Sequence, residues 1–311
     1  LTTGNPGETT PRTQFQYDAS NSGVADSDAP ETADVRWRTT LEPVDGGLSV
    51  ADGRVVVAAR SNLVALDART GEVLWDVRVG SGLTAPPTLS ADTAYVTTWN
   101  GGPQQARGVA AIDLDDGSER WRAVPDVDVA SAPTLADGVV YVGGSLNSEE
   151  VMAIDAEDGT ELWRFSAGQY ATTPAVDNGA VYVGGGEVRV AYALDASDGE
   201  VRWQVKLDDR VWAAPTVVDD TVHVVSRSGR VYALSAADGD RRWNTYVGSD
   251  VRSSLAATED AVYVPADGTF TSLDADGNRR WSVELRGRTF APTVAGDAIV
   301  VTDDESAVCL D

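Results

Sequence analysis

Short runs in which apolar and polar side chains alternate fill most of the chain, broken every few residues by Gly, Asp or Asn. One stretch reads ATTPAV, AVYVGG, VAYALD and VRWQVK in succession. A period of two sends alternate side chains to opposite faces, which predicts antiparallel strands with two differently packed sides. Four such strands make a unit, and the unit recurs.

Its signature is a phrase running from an Asp to a Trp. VALDARTGEVLW ends at Trp75, AAIDLDDGSERW at Trp121, MAIDAEDGTELW at Trp163, YALDASDGEVRW at Trp203, YALSAADGDRRW at Trp243 and TSLDADGNRRW at Trp281. From Asp67, Asp113, Asp155, Asp195 and Ser235 to the following Trp is eight residues, and from Asp274 it is seven. Successive tryptophans stand 46, 42, 40, 40 and 38 residues apart. A period of this size marks a repeat architecture.

The two ends carry complementary halves of one more unit. Trp37 precedes the first Asp by 30 residues with no such phrase before it, and Asp311 follows Trp281 by 30 residues with no Trp after it. Pairing of residues 35–41 with the strand ending at Asp311 completes a seventh unit. The expected fold is all-β: a closed seven-bladed β-propeller of four-stranded antiparallel blades, with the N-terminal strand completing the last blade. Closure hides the strand edges that an open sheet exposes. Residues 34–311 form this propeller. Residues 1–33, rich in Thr, Gly, Pro and polar groups at their start, read as a tether and lead-in segment.

Within each phrase, the Asp before the turn accepts backbone N–H groups and the Gly supplies a positive φ. Both are structural, and Ser235 makes a weaker version of the same turn. The tryptophans, once per blade at one strand position, are expected to pack between neighbouring blades. DLDDG at 113–117 and DADGN at 274–278 resemble the start of a calcium loop, but both occupy the ordinary turn and neither has Glu at the twelfth loop position. No metal site is expected.

Composition narrows the function. The chain of 311 residues carries 49 acidic and 24 basic residues, a net charge of −25, and Lys206 is its one lysine. Such a surface repels nucleic-acid phosphates and anionic lipid heads. Its self-repulsion fades at molar ionic strength, where the Debye length is roughly 3 Å. An acidic, lysine-poor chain of this kind resembles haloarchaeal proteins adapted to high salt. Cys309 is the sole cysteine and His223 the sole histidine. An internal disulfide and a cysteine-based zinc site are therefore excluded. A Ser-His-Asp triad would have to use His223, which sits in a strand-like run, and no GxSxG motif occurs. No transmembrane span and no signal peptide is read in the sequence, so the protein is either cytosolic or targeted by a segment upstream of residue 1.

The repeated A-x-D-x-x-[TD]-G-x-x-x-W phrase resembles the repeat of pyrroloquinoline quinone (PQQ) type propellers, over about residues 14–311. The run QFQYDASNSGVADSDAP followed by VRW is similar to the lead-in of the non-catalytic branch, which includes the barrel-assembly lipoprotein of bacterial outer membranes. That branch implies a non-enzymatic, extracytoplasmic scaffold that binds another protein and is tethered to a membrane through an upstream segment. The quinoprotein dehydrogenase branch implies eight blades, a vicinal Cys-Cys disulfide over the quinone, and a calcium ion held by Glu, Asn and Asp beside a catalytic Asp. One cysteine and one blade fewer argue against that branch, so no cofactor is expected.

A candidate site follows from blade geometry. Inter-blade linkers and the loops after second strands share one face, and the Asp-Gly turns lie on the other. The linker face varies from blade to blade and carries Asp128, Tyr170, Arg210, Trp212, Arg252, Arg288 and Phe290. The longest insertion, TTWNGGPQQARG, adds Trp99. Aromatics and arginines around a funnel have the composition of a protein-binding hot spot. They fit two other roles as well: holding an anionic or planar small molecule, or plugging the funnel with the arginines paired to local carboxylates.

Overall fold

The computed structural model describes residues 15, 18–25, 35–80, 82–99, 106–145, 147–295, 298–302 and 307–310. Among them every helix or strand is a strand, and the strands form seven four-stranded sheets. Six sheets take four consecutive antiparallel strands each, covering residues 47–78, 88–123, 134–166, 175–206, 216–246 and 256–284. First strands of neighbouring sheets lie against one another, which makes them the inner strands. The tryptophan-bearing fourth strands are the outer ones.

The apolar core is not central but divided among the joints between sheets. Six of the seven buried clusters draw on two successive sheets, and the other joins the first sheet to Trp37 and Leu41; one, for example, joins Tyr95, Val109 and Ala123 of the second sheet to Val140, Met152 and Ile154 of the third. The joint itself repeats. Trp121 Nε1 donates to Ala156 O at 3.2 Å, Trp163 to Ala196 O at 2.9 Å and Trp203 to Ala236 O at 2.9 Å. Each acceptor is the residue just after the turn aspartate (Ser235 in one case) of the next sheet. A register shift in the ladder between third and outer strands, as between Ala153 and Ile154, accompanies each of these tryptophans. Bulges of this kind re-aim a side chain. The expected turn chemistry is present: Asp67 Oδ1 accepts from the Thr70 and Arg69 amides, and Asp274 Oδ1 from those of Asn278 and Asp276. These backbone donors, that of Thr70 foremost, hold the Asp67 carboxyl below its ordinary value.

The seventh sheet departs from the expected closure. Its strands Thr293–Ala295, Ala298–Thr302 and Ala307–Leu310 correspond to the first three strands of other sheets. Its fourth strand is Val24–Ala25, added parallel to Thr293–Ala295 at the inner edge. Residues 35–41 carry no strand, and no ladder joins them to the last strand among the described residues; Asp311 lies outside these. Yet Trp37 Nε1 donates to Ala68 O at 2.9 Å, and Trp37 and Leu41 pack on the first sheet. Residues 35–41 thus make the outer-strand joint to the first sheet without the ladder. Two inner residues of Val24–Ala25 suffice for the count of four strands.

His223 occupies the second-strand position held by Tyr95, Tyr141 and Tyr182 in other sheets. Those rings lie 5.8–5.9 Å from Trp121, Trp163 and Trp203, and His223 lies 5.7 Å from Trp243. The tyrosine hydroxyls reach the carbonyls that accept from those tryptophans, Ala156, Ala196 and Ala236. Neither nitrogen of His223 has a partner, and burial pushes its pKa down to about 4. It is a neutral packing residue.

Two predictions follow from the joint. Gly138 and Gly159 share φ +77, but a Cβ at Gly138 meets nothing within 4 Å while one at Gly159 falls 2.7 Å from the Trp121 ring. Urea unfolding should show Gly159→Ala losing stability beyond the about 1 kcal/mol of left-handed strain that Gly138→Ala carries. Equal losses would deny the tryptophan joint its tight fit. For His223, the unfolded chain takes up a proton below about pH 6.5 and the folded chain only near 4. Stability therefore falls as pH drops through that window, by on the order of 2 kcal/mol between pH 6.5 and 5. His223→Tyr should remove this slope and shift the acid-unfolding midpoint to lower pH; an unchanged slope would locate it elsewhere.

Candidate functional site

Antiparallel strand order places each linker and each second-to-third-strand loop at one end of its sheet. The central residue there is Trp212, on the linker between the fourth and fifth sheets. The Arg227 guanidinium stacks over its ring at 4.4 Å from the centroid, Arg252 approaches at 5.9 Å, and the Tyr170 ring lies 6.4 Å away. A guanidinium over an indole face is attracted by the ring quadrupole. Asp250 fixes both arginines, with contacts of 2.9 Å to each. In return the Arg252 and Arg227 bonds hold the Asp250 carboxyl below its ordinary value. Trp212 Nε1 is buried without a partner.

Two cavities flank this cluster. One of about 390 Å³ is bounded by Tyr170 and Trp212 on one side and by Ser131, Gly144, Thr172 and Thr173 on the other. The second, about 460 Å³, is bounded by Asp250, Arg252, Asp267, Arg288 and Phe290. Phe290 remains 47% exposed and Tyr170 38% exposed, so apolar surface faces solvent at both. Tyr170 also holds φ +59, a left-handed conformation uncommon for a non-glycine residue.

Five of the eight singled-out residues therefore meet around the two cavities: Tyr170, Trp212, Arg252, Arg288 and Phe290. Arg210 is adjacent, paired to Glu187 at 2.9 Å, with its carbonyl accepting from the Arg227 amide. Asp128 stands apart. It is 6% exposed, accepts from Asn147 Nδ2 at 3.3 Å and faces Arg107 at 3.6 Å, so it braces a linker and offers little to a partner. Trp99 packs over Gly82 on the linker between the first two sheets and belongs to neither cavity. Residues 100–105 of its insertion lie outside the described residues. Sequence reasoning missed Arg227 and Asp250. Arg227 lies in SRSGR, a second-to-third-strand loop on the same face, which is the signal that marks it.

Arg210 and Arg252 pair with local carboxylates, while the exposed aromatics leave both cavities open at their rims. Among the described residues no three His, Cys, Asp or Glu side chains come together to hold a metal ion. The sole cysteine, Cys309, is exposed on the last strand. With one cysteine in the chain, the vicinal disulfide of the dehydrogenase branch has no second partner. Among the described residues no helix is long and apolar enough to cross a membrane.

A family model described as outer membrane protein assembly factor BamB matches residues 20–145, 92–169 and 147–282. Among curated proteins, the putative dehydrogenase XoxF of Paracoccus denitrificans is 38% identical over 91 residues, 27% of this chain and 15% of that protein. Outer membrane protein assembly factor BamB of Moranella endobia is 24% identical over 204 residues, 60% of this chain and 50% of that protein. The chain thus spans half or less of the length of these relatives. The crystal structure of BamB from Moraxella catarrhalis superposes with a TM-score of 0.71 at 22% identity, covering 86% of this chain and 82% of that one, a likeness of fold. With the Asp-to-Trp phrase laid out sheet by sheet and the family match running across most of it, the chain belongs to the PQQ-like β-propeller family described as outer membrane protein assembly factor BamB.

Proposed function

We propose that this chain is a non-enzymatic propeller that holds a partner protein on its linker face, as part of an assembly outside the cytoplasm of a halophile. The observation that carries the reading is the Trp212–Arg227–Arg252–Asp250 cluster between two open cavities. Trp, Tyr and Arg set in a cleft and rimmed by polar groups are the composition in which binding energy concentrates. Asp250 holds the two guanidinium groups in place before a partner arrives, so less side-chain freedom is lost on binding. At molar salt the net charge of −25 is screened over a few ångströms, and apolar contact at Tyr170 and Phe290 decides affinity.

The same proposal includes a closed ring of seven blades, residues 34–311, with residues 35–41 seated as the outer member of the seventh. Trp37 supports it, because its bond to Ala68 O repeats the joint that Trp203 makes with Ala236 O. Placement at the cell surface rests on the role of the outer-membrane assembly-factor relatives. The halophilic character rests on composition.

Expected behaviour at multimolar KCl separates the readings. Trp212→Ala and Arg252→Ala should fold normally and weaken capture of the native partner about 30-fold or more, the cost of truncating a hot-spot residue. Undiminished capture would remove this face from the interaction. The dehydrogenase reading has one favouring observation, the 91-residue likeness to XoxF. Titration with PQQ and calcium should leave tryptophan fluorescence unquenched and give no dye reduction with alcohols. Quenching with turnover would make the chain a minimal quinoprotein.

A further inference from the structure

The inner strands of successive sheets are tied by a recurring side-chain bond. Ser49 Oγ of the first sheet donates to Pro87 O ahead of the second at 2.5 Å. Thr88 then donates to Pro133 O at 2.5 Å, Thr134 to Pro174 O at 2.7 Å, and Thr216 to Leu255 O at 3.3 Å. In the fourth sheet this position is Ala175, which has no donor to offer Pro215 O.

The missing donor arrives from 154 residues earlier in the chain. Asn21 is fully buried, and its Nδ2 donates to Pro215 O at 3.3 Å and to Pro174 O at 3.1 Å. Its surroundings are built to place it there. Asp18 gathers the Ser22 amide at 3.0 Å together with the Ser20 and Ser22 hydroxyls. Asn21 itself takes φ +58 and its amide donates to Asp18 O at 3.2 Å. An Asx-type loop of this kind suits Asn, which tolerates the left-handed region.

From that loop the backbone runs along the inner edges of four sheets. Ala19 O accepts from the Val176 amide of the fourth sheet at 2.6 Å, and Ser20 O from Val217 of the fifth at 2.9 Å. Ser22 O accepts from Ala257 of the sixth at 2.9 Å, and Gly23 O from Val294 of the seventh at 2.9 Å. The single hydroxyl proton of Thr216 is shared between Leu255 O and Asn21 O, the latter at 3.0 Å. At the sixth sheet, where the recurring position is Ala256, the segment passes directly into the Val24–Ala25 strand of the seventh.

We infer that residues 18–25 are an internal latch joining four sheets across their inner edges, and that Asn21 is its pin, supplying the inter-sheet hydrogen bond that Ala175 cannot. Asn21 and a threonine at position 175 are two solutions to one vacancy, and they compete for the same space and the same carbonyl. Only one can be accommodated.

That exclusivity gives the test, with unfolding in urea at one fixed multimolar KCl concentration. Asn21→Ala should raise the unfolded fraction at a given urea concentration tenfold or more, since a buried carbonyl loses its donor. Ala175→Thr in the otherwise unchanged chain should lower the midpoint by overpacking against Asn21. In the Asn21→Ala background the same Ala175→Thr should raise the midpoint, because the hydroxyl then reaches Pro215 O. Opposite signs in the two backgrounds are the expected result; a loss in both, or an unchanged midpoint for Asn21→Ala, overturns the assignment. Should Asn21→Ala fail to fold, recovery of native fluorescence on adding Ala175→Thr supports it and continued failure overturns it. Amide exchange at Val176 and Val217 should also quicken in Asn21→Ala; unchanged protection there counts against the latch.

Discussion

Everything in this molecule depends on one joint: an indole N–H from an outer strand meeting the carbonyl that follows the turn aspartate of the next sheet. A four-stranded sheet of short strands cannot bury either face alone, and each face here is covered only by a neighbour. The indole bond sets the angle and distance at which the faces meet. Its geometry in turn requires a residue without a side chain in the turn, since the ring of Trp163 sits where a Cβ on Gly199 would be, 2.7 Å away. Bulge, tryptophan, aspartate and glycine are thus one device distributed over two sheets.

That device was the part of the fold legible in the sequence, because it uses side chains and repeats them. A period near forty residues from Trp121 to Trp243 announces identical surroundings each time. The seventh sheet was less legible. Trp37 correctly marks a joint to the first sheet, but the expectation of an outer ladder with the last strand assumed that every joint needs one. The pairing that does form, Val24–Ala25 with Thr293–Ala295, is parallel, two residues long and made by backbone atoms. No side-chain pattern encodes it. The inner segment escaped notice for the same reason: DASNSG occurs once, so no period exposes it, and its bonds to Val176, Val217, Ala257 and Val294 come from carbonyls any residue could present.

At the linker face, residue type alone singled out Trp212, Tyr170 and Arg252, which the structure brings together, since aromatics and arginines stand out among linkers of small residues. It could not tell Asp128, an inward brace, from a surface carboxylate, because burial depends on where Arg107 and Asn147 arrive from other loops. Nor could it separate Arg227, held by Asp250 over the indole, from the many arginines paired along the turn face, such as Arg120 with Asp113 and Asp92.

The inner segment also has a mechanical side. A pull applied at the N-terminal side of residue 18 runs along the four carbonyl bonds from Ala19, Ser20, Ser22 and Gly23, each anchored in a different sheet. Load enters the fourth to seventh sheets in shear, shared among them at once, instead of unzipping one edge strand bond by bond. A chain held by its leading end would thus be gripped along the inner edges of four sheets, with the linker face left clear of the load.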